Sequence, residues 1–282
     1  MNRPSAGSRL GRGVASWRRL GLSRHSLAYT FALLGLVLFA FITWPLVKML
    51  LASLAEPDVF VRTLLDTQVT RSIWLTLYAA LIATVIGFLL GIPLAYFMAR
   101  HDFWGKRLIE GLIDVPIVVP HTAAGIALLF VFGRRFPIGR AFAQIGITFV
   151  DSTAGIVIAM LFVSVPFLID SAKEGFRKVD VRIERVARTL GASPWQVFWR
   201  ISFPLAWRSI VAGCIMMWAR GISEFGAVVI LTYHPMIAPV LVFERFEAFG
   251  LDYARPVAVL LIIVSVLVFV ALRALVDRER QT

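Results

Sequence analysis

"ERVARTLGASPWQVFWRISFPLA", residues 184–206, decides the reading of this chain, because it has the character of a soluble helical hairpin yet lies between strongly apolar stretches. From Asp180 onward, Ile183, Val186, Ala187 and Leu190 recur at i, i+3, i+4 and i+7, which is one face of a short helix. Asp180 is placed to cap the start of that helix, and Gly191 to end it in the left-handed conformation. Ser193-Pro194-Trp195-Gln196 then reads as a capping box with proline at the first helical position. The second helix carries Trp195, Phe198 and Trp199 on one face and is expected to stop before Pro204.

Outward from the hairpin, composition dictates the surroundings. Of 282 residues, 59% are hydrophobic and 16% charged, with a mean hydropathy of +0.81, too little polar material to cover a globule in water. Six segments approach the roughly 20 apolar residues that a spanning helix needs, at 27–47, 73–99, 115–133, 154–169, 205–231 and 257–272. The expected fold is therefore an all-α polytopic membrane protein with six transmembrane helices. Basic residues choose its orientation: with a cytoplasmic N-terminus, segments inside hold 19 Lys and Arg against 8 outside. Both termini are thus expected in the cytoplasm. Residues 1–26 form a basic tail suited to an anionic leaflet, residues 273–282 a second tail, and residues 171–204 the longest cytoplasmic loop, which contains the hairpin. A cleaved signal peptide fits poorly, since the first apolar run has 21 residues and a signal core about 7 to 15.

Several chemistries are disfavoured. The single Cys214 cannot form an intrachain disulfide, and His25, His101, His121 and His234 are too scattered to suggest a metal site. The net charge of +12 is spread over short segments between apolar runs, where membrane lipid and topology account for it better than nucleic acid. No G-x-x-x-x-G-K-[ST] occurs; Gly105-Lys106 is followed by Arg107, so the chain is not expected to hydrolyse ATP by that route. The hairpin itself admits two readings. It can lie on the bilayer with Arg182, Arg185, Arg188 and Arg200 on lipid phosphates, or it can dock a cytoplasmic partner.

At this point the residues carry a family resemblance. Gly191, followed after nine residues by Ile201-Ser202-Phe203-Pro204, resembles the EAA loop of ABC importer permeases, in which a Glu-Ala-Ala triplet precedes the glycine and Ile-x-Leu-Pro follows. Here Arg185 and Val186 stand at the first two triplet positions, with Glu184 one residue earlier, and Phe203 replaces leucine. The stretches "DVPIVVPHTAAGIALLFVFG" (114–133) and "ARGISEFGAVVILTYHPMIAPVLVFERF" (219–246) look like permeases for molybdate and tungstate, with sulfate permeases a related version. The resemblance implies the type I ABC importer permease fold, a homodimer in the cell's inner membrane, ATPase subunits docked at the EAA loops, and an extracytoplasmic oxyanion-binding protein. It places ATP and Mg on the partner subunit and no cofactor on this chain. Glu184, Ala187, Gly191, Trp195, Phe198, Ile201 and Pro204 are then the coupling candidates.

Further candidates come from charge at depth. Arg220 and Glu224, at i and i+4 in the fifth span, read either as a self-satisfying ion pair or as part of an anion pathway together with Ser223. Arg134, Arg135 and Arg140 run against the charge rule in an external loop, where they suit an anion or the acidic surface of a delivering protein. Gly87 and Gly91 form a G-x-x-x-G suited to packing within one subunit or to a dimer contact. Pro93, Pro116, Pro120 and Pro166 would free carbonyls for a lined cavity. An intramembrane serine protease would place its nucleophile near Ser223, and a six-span secondary transporter would need intramembrane carboxylates, of which Glu224 is the deep one.

Overall fold

A computed structural model describes residues 24–278, and these are helical, with no strand among them. They fall into two compact units divided between Ala55 and Glu56. The first unit holds α1 (Arg24–Leu54), a 31-residue helix with Phe31, Leu33, Phe39 and Phe41 exposed around it. A helix apolar on every face belongs in lipid or against other spans.

The second unit contains α2 (Pro57–Leu65), α3 (Thr67–Arg100), α4 (Lys106–Val118), α5 (His121–Phe132), α6 (Pro137–Gln144), α7 (Thr153–Lys178), α8 (Val181–Thr189), α9 (Pro194–Val197), a π turn (Phe198–Ser202), α10 (Phe203–Ile222), α11 (Gly226–Leu231), α12 (Ala238–Phe249) and α13 (Leu251–Arg278). Five helical stretches among the described residues are long and apolar enough to cross a membrane, and α4 with α5, bent by 114°, makes a sixth if counted as one span. Local chemistry sets the ends of these rods. Asp66 caps α3 by accepting the Gln68 N–H at 2.8 Å, and Ser152 caps α7 by accepting the Gly155 N–H at 3.2 Å. Arg177 and Lys178 in the last turn of α7 oppose its negative end.

α7 forms the spine, packed along both α3 and α10. Ala79, Ala80, Ala83, Ala159 and Ala172 are buried at these contacts. Small side chains let helices approach closely where lipid removes the usual hydrophobic drive. Gly87 lies against Met217 of α10 and Gly91 against Ile169 of α7, so the G-x-x-x-G packs within one subunit.

Three expectations need correction. The third segment, 115–133, is not one helix: Val119 is extended ahead of Pro120, as a residue before proline prefers, and the rod bends there. The fifth, 205–231, breaks at Ser223, Glu224 and Phe225, and the Glu224 carboxylate takes the Ala227 N–H at 2.8 Å to restart α11. The hairpin's second helix does not stop before Pro204. It runs through the π turn, with Phe203 N–H bonded to the Phe198 carbonyl, straight into α10. The wider turn leads the helix into Pro204, which lacks the N–H an α-helix would use there, and the proline rule does not anticipate that continuation. α7 and α13 run past the apolar stretches 154–169 and 257–272 into the flanking polar residues.

Candidate functional site

The hairpin is built from local signals. Asp180 accepts the Arg182 N–H at 2.8 Å to start α8. Gly191, at φ +91°, ends it, with Ala192 N–H bonded to the Ala187 carbonyl at 3.0 Å. Ser193 and Gln196 form the reciprocal capping box, at 3.2 and 2.9 Å.

Its orientation is fixed by one carboxylate oxygen. Glu184 Oε1 accepts from Arg100 Nε at 2.9 Å, Arg100 Nη2 at 2.7 Å and Ser202 Oγ at 2.7 Å. Arg100 Nη2 also donates to the Val179 carbonyl at 3.2 Å. The end of α3, the end of α7, the start of the hairpin and the π turn are thereby joined at a point where the Arg100 and Glu184 side chains are only 8% and 4% exposed. Beside it, the buried Phe198 ring sits 4.9 Å from Tyr96 of α3 and 6.1 Å from Phe176 of α7. Glu184 and Phe198, grouped at the outset with the docking residues, therefore face the spans. The exposed part of the hairpin mixes Ile183, Val186 and Leu190 with Arg182, Arg185 and Arg188 on its first helix, Leu190 being 83% exposed, and carries Trp195, 69% exposed, and Trp199 against Phe198 on its second. Ala187 and Ile201 are half-buried, and Pro204 is exposed near the start of α10.

The second site lies where the two broken spans meet. Arg220 Nη2 donates to Glu224 Oε2 at 2.9 Å and lies 2.7 Å from His121 Nε2, while Nη1 donates to Ser223 Oγ at 3.2 Å. Ser223 Oγ in turn donates to the Arg220 carbonyl at 3.0 Å. Glu224 is buried, its side chain 1% exposed, while that of His121 is 41% exposed. Arg134, Arg135 and Arg140 are exposed, the first two in the turn after α5 and the third on α6.

The family model for the binding-protein-dependent transport system inner membrane component matches residues 91–281. The chain belongs to this family. It is 44% identical, over 91% of this chain and 98% of the relative, to the molybdate/tungstate transport system permease protein WtpB of Pyrococcus furiosus. It is 36% identical, over 69% of this chain and 68% of the relative, to the probable sulfate transport system permease protein cysT of Chlorokybus atmophyticus. Its fold resembles the crystal structure of a bacterial ABC transporter involved in the import of alginate, with a TM-score of 0.72 at 16% identity, covering 94% of this chain and 99% of that one.

In this inner membrane permease, therefore, the hairpin is tied to the ends of α3 and α7 and the start of α10, while the charged break joins the end of α10 to α5 and α11. Two participants escaped the sequence reading. Arg100 is 84 residues from Glu184, and His121 is 99 residues from Arg220. Separations of that kind leave no local pattern. The one available signal was Pro120-His121, which marks a helix start inside an apolar run.

Proposed function

We propose that this chain is the permease subunit of an ATP-driven importer for an oxyanion, molybdate or tungstate, with both termini cytoplasmic. The observation that carries this reading is the hairpin: exposed apolar residues on an element whose Glu184 carboxylate is tied to Arg100 at the end of α3 and to Ser202 of the π turn that leads into α10, as a coupling element requires. A separate ATPase subunit, carrying ATP and Mg, docks on Ile183, Val186, Leu190 and Trp195. Its closure reaches α10 directly, because hairpin and span are one continuous rod through the π turn.

Relatedness to WtpB supports molybdate or tungstate over sulfate, which remains the second reading through the cysT relative. Gly221, next to Arg220, lies against Ala80, and Ala80 sits about 14 Å along α3 from Arg71 and about 30 Å from Arg100 at 1.5 Å per residue. The charged cluster therefore falls within the outer half of the apolar slab. Partly exposed charges at that depth need polar surroundings, which a pathway between two copies of the chain supplies. Arg134, Arg135 and Arg140 receive an extracytoplasmic binding protein. The Ser223 hydroxyl is engaged with Arg220, on its carbonyl and its guanidinium, which argues against a protease nucleophile.

Uptake of labelled tungstate into cells lacking other molybdate transport, with this chain, its ATPase and its binding protein restored, tests the reading. Competition by molybdate at far lower concentration than sulfate is expected. Preferential competition by sulfate selects the second reading, and uptake that persists when ATP is depleted indicates a secondary transporter.

A further inference from the structure

The charged break is arranged in layers. Glu224 lies at the back, buried and fixed by the Ala227 N–H at 2.8 Å, while Arg220, His121 and Ser223 lie in front with partial exposure. An anion approaching this face meets the guanidinium, the imidazole and the hydroxyl before it meets the carboxylate. α5 begins at His121 without a side-chain cap, so the first N–H groups of that helix face the same break. The Arg220–Glu224 pair is neutral as it stands, and a guanidinium has more N–H donors than one carboxylate oxygen uses.

We infer that Glu224 is a built-in counter-anion: it occupies Arg220 while the permease is empty and yields the guanidinium, which His121 and Ser223 orient, to a tetrahedral dianion. This rests on the oxyanion reading above and supplies its binding residues. The arrangement answers a requirement of any conducting site, that binding be strong enough to admit the ion and weak enough to release it. A bare arginine at that depth would hold a dianion too firmly. A carboxylate that returns to the guanidinium speeds its departure.

Substitution at Glu224 separates this role from a structural ion pair. In Glu224→Gln the amide oxygen keeps the Ala227 N–H bond, while the amide NH2 that faces Arg220 cannot accept from it, so the guanidinium is released for ligand. Equilibrium binding of labelled tungstate to the full permease with its ATPase in lipid nanodiscs, without binding protein, is the readout. Glu224→Gln is expected to bind tungstate about tenfold more tightly than wild type, the scale of one charge-assisted hydrogen bond, and to transport it more slowly. Arg220→Lys keeps the charge and the pair but loses the fork that spans Glu224, His121 and Ser223. It should assemble normally and bind about tenfold more weakly. Tungstate binding by Glu224→Gln that equals or falls below wild type, or by Arg220→Lys that equals it, overturns the counter-anion while leaving the oxyanion reading in place if wild type still imports molybdate. A wild-type importer that ignores tungstate, molybdate and sulfate alike contradicts the oxyanion reading and the inference with it.

Discussion

Removing the Glu184 carboxylate should free the hairpin from the spans without unfolding the membrane domain. Glu184→Ala deletes three hydrogen bonds at once and leaves Arg100, 8% exposed, with the Val179 carbonyl as its remaining acceptor at 3.2 Å. Breaking a buried pair in this way costs about 3 to 5 kcal/mol, because one charge stays desolvated. Glu184→Gln keeps an oxygen where all three donors converge and loses only the charge, so it should cost about 1 to 2 kcal/mol. The loss falls on local attachment, which a buried reporter in the hairpin can read. Val197 is fully buried at the hairpin's second helix, and Cys214 is the chain's single cysteine. A Val197→Cys probe in a Cys214→Ala background should react with a maleimide only when the hairpin lifts away. At 1.4 kcal/mol per factor of ten, Glu184→Ala should raise the labelling rate by about a hundredfold to a few thousandfold, and Glu184→Gln by roughly tenfold. Equal labelling of all three proteins, or faster labelling of Glu184→Gln than of Glu184→Ala, would refute the assignment of this carboxylate as the tether.

Gly191→Val places a β-branched residue at φ +91°, a strain of about 1 to 2 kcal/mol, and should abolish substrate-stimulated ATP hydrolysis and uptake together while membrane levels stay near normal. Trp195→Ala removes an exposed apolar side chain, and co-purification with the ATPase should weaken by about 2 kcal/mol, a shift visible in titrations of complex assembly. Replacing Arg134, Arg135 and Arg140 with glutamine should reduce binding-protein-dependent uptake, with the defect shrinking as salt screens the wild-type interaction. At the start of α3, burial works against the Asp66 charge, but the Arg245 hydrogen bond at 2.5 Å and the Gln68 N–H outweigh it and hold the carboxyl below its usual 3.8. A depressed folded-state value stabilises above the unfolded one, so Asp66→Asn should lower the thermal midpoint at neutral pH. Its difference from wild type should close as pH falls below 3.8 in a pH series of melting curves.

Local chemistry was legible in the sequence and distant pairing was not. The cap at Asp180, the left-handed Gly191 and the Ser193–Gln196 box each depend on residues within a few positions of one another, and the structure forms each of them. Hydropathy located the apolar regions but not the breaks inside them. At Glu224 no proline or glycine run announces the interruption, since a buried carboxylate supplies the backbone N–H with its partner instead. The π turn hid for the opposite reason: Pro204 looks like a stop, and here the helix passes it through a widened turn. Facing directions on the hairpin were ambiguous because both of its sides carry apolar residues, one packing on Tyr96 and Phe176 and the other open. Glu184 turned inward because an arginine 84 positions earlier waits at the end of α3.

The central claim is that this permease moves an oxyanion only when a separate ATPase acts through the hairpin. Tungstate uptake into proteoliposomes containing the chain, its ATPase and its binding protein, with ATP on the ATPase side, tests it most directly. The account predicts accumulation that needs ATP hydrolysis, follows wild-type protein, and is lost in Glu184→Ala despite equal incorporation. Uptake that continues without ATP, or that Glu184→Ala supports at the wild-type rate, would contradict it.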